Sequence, residues 1–248
     1  MDFPKVLISC PTAVVKNYCF EAWLKNVMNF TYPNYQVYLC DNTNDEGVNV
    51  KYYNDYYKEH YGEDGKFLAV NSLLLNNVSR PMNIIEKMAL SHNDCRDATL
   101  ENNFDYLFHL ESDVFPPKDV VERLMFHKKN VAGGLYHINS GIYRSPMIQL
   151  NVEITPKLIG SINLETNMEN IFIDGQLLQV AHVGLGCVLI SKKVLQKLKF
   201  RSVNGVNNHP DSFFAEDCYR YKIPIWIDSS IVCSHDNQDW GIYGLDFK

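Results

Sequence analysis

The residues best suited to chemistry lie mid-chain. There Tyr106–Leu110, an apolar run with strand character, gives way to Glu111-Ser112-Asp113 and then to Pro116-Pro117. Carried through this stretch, the two-residue strand period predicts that Glu111 and Asp113 project the same way and Ser112 the opposite way. Carboxylates at the end of a strand in an open α/β sheet face the crevice where such sheets bind ligands. They are hard oxygen ligands suited to Mg²⁺ or Mn²⁺, ions that commonly hold substrate phosphates. The same spacing also suits a solvated acidic turn, so the reading depends on what the rest of the chain brings to the site.

Three further groups are candidates. Glu216-Asp217 sits among Phe213, Phe214, Tyr219 and Tyr221. A carboxylate against apolar walls can serve as a base with a tuned pKa, although acids also favour the first turn of a helix. His235 follows an apolar strand and has either a ligand or a structural role. Arg80 precedes a helical stretch, where a solvated loop residue and a phosphate partner are both open.

The elements that must position these residues alternate. Strands are predicted at 6–9, 36–39, 67–70 and 131–135, and helices at 17–30, 49–61, 82–102 (with a break near His92) and 118–128. An antiparallel excursion is expected from 147–152 and 177–182. A glycine turn at Gly184 and Gly186 feeds a buried strand, a helix follows at 192–198, a short helix covers 213–221, and strands at 225–228 and 231–233 close the pattern. The first β-α-β unit has polar groups at both strand ends, as in a doubly wound sheet, but lacks both G-x-G-x-x-G and a Walker A loop. Any nucleotide would therefore be held by side chains and a metal.

Composition sets the outer bounds. The 248 residues are 46% hydrophobic and 21% charged, enough for one large α/β domain or two small ones. A net charge of −6 with no basic run argues against nucleic acid as the main ligand. Seven cysteines without C-x-x-C predict reduced, buried thiols. No signal-peptide pattern is evident, and no apolar run reaches the ~18 residues of a membrane span. The expectation is a soluble, cytoplasmic protein without a transmembrane segment.

The order of these pieces resembles the GT-A class of nucleotide-sugar-dependent glycosyltransferases (family 2-like). The matching features are the polar strand ends at 9–12 and at Asp41-Asn42, Glu111-Ser112-Asp113 where the class has D-x-D, the Gly184–Gly186 turn, Glu216-Asp217, and His235 after Trp226-Ile227-Asp228. The resemblance spans residues 6–235. It implies a single GT-A domain over 1–248: an open, Rossmann-like mixed sheet flanked by helices, with a small antiparallel excursion. Its nucleotide-binding part would run over 1–115 and its acceptor-binding part over 116–248.

The resemblance also implies roles. Pro11, Thr12 and Asp41 would line the base and ribose site, and Arg80 and Ser112 would belong to the nucleotide set. Asp113 and His235 would hold Mn²⁺ or Mg²⁺. Glu111, where the class more often has Asp, would be a further ligand or a sugar contact. Gly184 and Gly186 would floor the acceptor site. Asp217, or failing it Glu216, would take the acceptor's proton in an inverting transfer. The implied partners are a UDP- or GDP-sugar donor and a glycan, glycoconjugate or other hydroxyl acceptor. The tail from Asn237 would be a lid or a packed terminus. The alternatives are a nucleotidyltransferase, disfavoured by the missing glycine-rich loop, and a non-catalytic nucleotide- or carbohydrate-binding module.

Overall fold

The computed structural model describes residues 3–43, 46–62, 64–73, 82–140, 143–155, 158–163 and 175–236. Arg80 and the tail from Asn237 lie outside the described residues. The first half contains β1 (Val6–Thr12), α1 (Asn17–Met28), β2 (Tyr35–Asp41), α2 (Val48–Tyr61), β3 (Phe67–Ser72), α3 (Ile84–Glu101), β4 (Tyr106–Leu110) and β5 (Val114–Phe115). Next come α4 (Val120–Phe126), β6 (Val131–Leu135), β7 (His137–Ser140), β8 (Tyr143–Pro146), β9 (Ile148–Thr155) and β10 (Leu158–Asn163). The last are β11 (Leu177–Val180), β12 (His182–Val183), β13 (Cys187–Ser191), α5 (Lys192–Leu195), α6 (Pro210–Arg220), β14 (Ile225–Val232) and β15 (Ser234–His235).

Among the described residues, eight strands form one mixed sheet in the order β11-β14-β6-β13-β4-β1-β2-β3. β1 is parallel to both β2 and β4 and is buried on both faces, which fits its apolar start at Val6-Leu7-Ile8. α1 buries Cys19, Phe20, Trp23, Leu24 and Val27, the stripe a 3.6-residue period provides. β13 runs antiparallel to both β4 and β6, so the chain reverses at mid-sheet. The expected open mixed sheet flanked by helices is present. The antiparallel excursion is present but composed differently: β9, β10 and β12 form it, while β11 leaves it to pair with β14 at the edge of the main sheet.

Two helices differ from expectation. α3 continues through His92 without a break. Asn83 and Glu86 close its N-terminus with a capping box, and the Ser91 and Asn93 side chains return hydrogen bonds to Lys87 O and Ala89 O. Asn93 also bonds both the N–H and the C=O of Phe200, so the tertiary fold anchors the helix where its sequence weakens. α6 starts earlier than predicted, at Pro210, and so takes Asp211 into its first turn. A proline at the first helical position is a start signal legible in the sequence.

The parallel strands deliver their ends to one edge. Thr12 is in register with Asp41, and Leu110 lies opposite Cys187, so Gly186 O accepts from Glu111 N at 3.0 Å. The short β5–β15 ladder sets His235 opposite Val114, and Asp236 N donates to Asp113 O at 2.9 Å. His235 thus arrives beside Asp113 from 122 residues further along the chain.

Gly184 and Gly186 are explained by Tyr136. A Cβ on Gly184 would lie 2.1 Å from the Tyr136 hydroxyl, and one on Gly186 would lie 2.5 Å from ring carbon Cζ. Gly186 N–H instead donates to that hydroxyl at 3.1 Å. Gly186→Ala is therefore expected to lower stability by roughly 1–3 kcal/mol, the usual cost of overpacking, read as a lower urea midpoint with unchanged m-value. An unaltered midpoint would mean that Tyr136 moves aside freely.

Candidate active site

β4 ends at Leu110, and the backbone then turns, with Val114 N donating to Glu111 O at 3.0 Å. The two-residue alternation expected across Glu111-Ser112-Asp113 therefore does not apply. Glu111 and Ser112 together line a cleft of about 550 Å³. Asp113 turns behind that surface and is 1% exposed.

A buried carboxylate needs partners, and Asp113 has several. Its Oδ2 forms an ion pair with the Lys16 ammonium, lies 3.6 Å from His235 Nε2 and is 3.5 Å from the Tyr18 hydroxyl. Burial pushes the Asp113 carboxyl up, but the His235 imidazole and the Lys16 ammonium outweigh it and hold the group below the usual carboxylate range. Burial likewise pushes His235 down, and Asp113 more than restores it. His235 Nδ1 lies 2.6 Å from the His137 carbonyl, which can only accept, so Nδ1 carries the proton and Nε2 faces Asp113. Glu111 takes the opposite course: burial first, and the charge of Asp113 second, push its carboxyl from 4.5 up to about 7.

The cleft walls are largely apolar. Pro11, Ala13 and Val15 form one side, and Ile84, Ile85 and Met88 of α3 form the other. Thr12 also lines it, with its hydroxyl 3.0 Å from that of Tyr53. Asp41, expected at the base site, is 0% exposed, and it is Asn42 that reaches the cleft. Asp41 Oδ1 accepts from Asn49 Nδ2 (2.9 Å) and from Thr43 Oγ1 (2.8 Å), while Thr43 Oγ1 also accepts from Val14 N (2.7 Å). That network ties the loop after β2 to the loop after β1, which places Asp41 as a brace behind the cleft wall.

Glu216 and Asp217 are not brought to this cleft. Asp217 is held by Arg201 through two contacts, Nε–Oδ2 at 2.8 Å and Nη2–Oδ1 at 3.1 Å, and Glu216 pairs with Arg201 and Arg220. Together with Arg96 and Tyr221, Asp217 lines a separate, more open pocket. The acid of α6 whose charge is felt at the central site is Asp211, six residues earlier, which lies behind the cleft lining. Its Oδ2 lies 3.6 Å from His182 Nε2, and His209, the residue capping α6, lines the cleft. Burial pushes the Asp211 carboxyl up, but His182 and His209 outweigh it and leave it lowered. The charge of Asp211 is also among those that raise Glu111 and Tyr136. Sequence reasoning missed Lys16, Tyr136, His182 and Asp211; only Asp211 carried a local signal, the preceding proline. Gly184 and Gly186 lie beneath Tyr136, whose ring meets His235 edge-on at 5.5 Å.

No known family profile matches the sequence, and no curated protein matches it. Among solved structures, the chain superposes on GalNAc-T7, crystallised with UDP, GalNAc and Mn²⁺. The TM-score is 0.61 at 12% identity, over 94% of this chain and 44% of that one. The fold is GT-A-like. A197 from STIV also aligns, at 16% identity over 95% of this chain and 87% of that chain, with a TM-score of 0.49. All seven cysteines are buried free thiols, and no helix among the described residues is long and apolar enough to cross a membrane.

Among the described residues, no three or more His, Cys, Asp and Glu side chains are grouped as a metal cage. A Mg²⁺-type site completed by phosphates needs only one or two protein ligands. The donors present suit that kind of site: Asp113 Oδ1 is buried without a hydrogen-bond partner, and His235 Nε2 is aimed at the same carboxylate.

The raised Glu111 carboxyl has a measurable consequence. Between pH 4.5 and about 7 the folded protein keeps a proton that the unfolded chain has lost. Its contribution to stability is therefore full below the unfolded value and is lost as pH rises through the folded one. The melting temperature should fall from about pH 5 to about pH 6.5, and Glu111→Gln should flatten that fall. Parallel slopes for the two proteins would mean that Glu111 ionises normally.

Proposed function

We propose that the chain is a metal-dependent glycosyltransferase that moves a sugar from a UDP- or GDP-sugar to an acceptor hydroxyl, with Asp211 as the base. The observation that carries this reading is a buried Asp113–His235 pair directly behind Glu111 and Ser112, which line a cleft of about 550 Å³, with Asp211 of α6 near enough for its charge to act on Glu111. The GT-A-like fold supports it.

In this reading the nucleoside lies between the Pro11–Val15 loop and the apolar face of α3, and Asn42 and Thr12 supply polar contacts. Asp113 and His235 would hold the cation, which when bound neutralises charge on the departing diphosphate. Lys16, at the cleft and paired with Asp113, adds a second positive charge at the phosphates. Glu111, at the cleft surface, is placed to contact a sugar or phosphate group. Asp211 takes the acceptor proton as the new C–O bond forms and the bond to the diphosphate breaks. His182 beside it stabilises the carboxylate before transfer and orients it. One base in line with the leaving group implies inversion. Asp217 has both oxygens bound by Arg201 and lines a separate pocket.

The test is turnover of UDP- and GDP-sugars with and without Mn²⁺, using wild type, Asp113→Ala and Asp211→Asn. Asp113→Ala should lose Mn²⁺-dependent affinity for the nucleoside diphosphate. Asp211→Asn should keep that affinity and lose ~10²-fold or more in kcat. The product, read by NMR, should have the anomeric configuration opposite to the donor's. Normal kcat in Asp211→Asn with a collapse in Asp217→Asn would return the base to Asp217, and a retained configuration would reject the single-base mechanism.

A further inference from the structure

Two buried histidines not used in this mechanism meet between α3 and β4. His109 is 0% exposed and His92 2%, and His92 Nδ1 lies 2.7 Å from His109 Nε2. His109 Nδ1 is in hydrogen-bond contact with the carbonyl of Leu185, in the glycine turn. That carbonyl can only accept, so His109 Nδ1 carries a hydrogen. A neutral His109 then has a bare Nε2, and His92 Nδ1 must donate to it. Among the described residues neither ring is paired with a carboxylate, and burial opposes a charge on either, pushing His109 down to about 4 and His92 well below its ordinary value. One polar atom of the pair is left over: His92 Nε2, which in this arrangement is a lone-pair acceptor. The His92 ring lines the cleft, in line with Ile85 and Met88 on the same face of α3.

We propose that the Leu185–His109–His92 relay fixes His92 Nε2 as a hydrogen-bond acceptor in the apolar cleft wall, selecting a ligand that presents an O–H or N–H there. The inference rests on the cleft being the donor site, and it names what that donor must offer. An acceptor set among Ile85 and Met88 has lost much of its water. A ligand lacking the matching donor leaves it unpaired, and that penalty is the source of selectivity. The chemistry fits either a sugar hydroxyl or the imide N–H of a base such as uracil.

The first experiment needs no ligand. Long-range ¹⁵N–¹H spectra of the labelled wild-type protein distinguish bare from protonated ring nitrogens. Bare Nε2 with protonated Nδ1 on His92 is expected, and protonated Nε2 would overturn the proposal. The second is calorimetric titration of wild type, His92→Phe and His92→Gln with UDP, GDP and their sugar conjugates. Phe preserves the ring contact with Phe200, 5.2 Å between centroids, but removes the acceptor. His92→Phe should weaken the favoured ligand by about tenfold to a hundredfold, and His92→Gln, whose oxygen can accept, should recover part of the loss. Equal loss for the diphosphate and its sugar conjugate assigns the donor to the base, and loss for the conjugate alone assigns it to the sugar. Wild-type affinity of His92→Phe for every ligand would overturn the proposal. Should wild type bind none of them, the donor-site reading fails, and the tautomer spectrum still decides whether the relay exists. Should His92→Phe not fold, the spectrum and the Gln variant decide.

Discussion

The burial of Asp113 is the constraint around which the site is built. A carboxylate 1% exposed is costly unless its charge is met at once, and here the compensation comes from distant parts of the chain. Lys16 comes from the loop after the first strand, Tyr18 from the start of α1, and His235 from the final ladder. Each contact requires its own segment to be in place, so the carboxylate acts as a register pin between the two ends of the described chain. Removing any one partner would strand charge in a low-dielectric setting, which is why the β5–β15 ladder matters although it holds only two residue pairs.

The same economy governs the other side of the cleft. Tyr136 fills the space left by two glycines, accepts from the Gly186 N–H and presents its ring to His235. The glycine turn therefore couples three things: the reversal into β13, the wall behind Glu111, and, through the Leu185 carbonyl, the buried histidine relay. A substitution at the turn would disturb the fold and the polar groups of the cleft together. That separates it from changes at Asp41, whose network braces the loops around Thr12 and Thr43 without reaching the cleft surface.

Much of this architecture was legible in the sequence because it follows from local periodicity. The alternation of strand and helix over the first half, the apolar run of β4 and the turn signals at Pro116-Pro117 and Gly184 all depend on residues close together in the chain. The edge position of Pro11, Thr12, Glu111 and Asp113 follows from parallel strands sharing one direction. What was not legible depends on partners far apart. Nothing near Asp41 shows that Asn49, from α2, will help enclose it, and nothing near Asp217 shows that Arg201 will claim it with two hydrogen bonds. The strand-parity argument for Ser112 failed for a different reason: the backbone turned one residue after the strand ended, and parity has no meaning in a turn.

The contrast between Asp211 and Asp217 shows how a helix sorts equivalent acids. Six residues at 100° each put them 240° apart around the axis and about 9 Å apart along it. One face of α6 looks toward β12 and the cleft, and the other toward the Arg201 segment. Asp211 is in the first turn, where the helix dipole favours a carboxylate, and burial, which pushes it up, is outweighed by His182, then His209 and the Ser212 N–H. Asp217 lies near the C-terminal end, where the dipole disfavours a negative charge, and it is there that two arginines, Arg201 and Arg220, flank the Glu216-Asp217 pair. Asp217 has both oxygens held by one guanidinium, whereas Asp211 Oδ1 accepts from the Ser212 N–H at 2.7 Å and its Oδ2 lies 3.6 Å from the His182 imidazole. The environment of each acid therefore follows the end of the helix on which it sits, and composition alone does not distinguish the two.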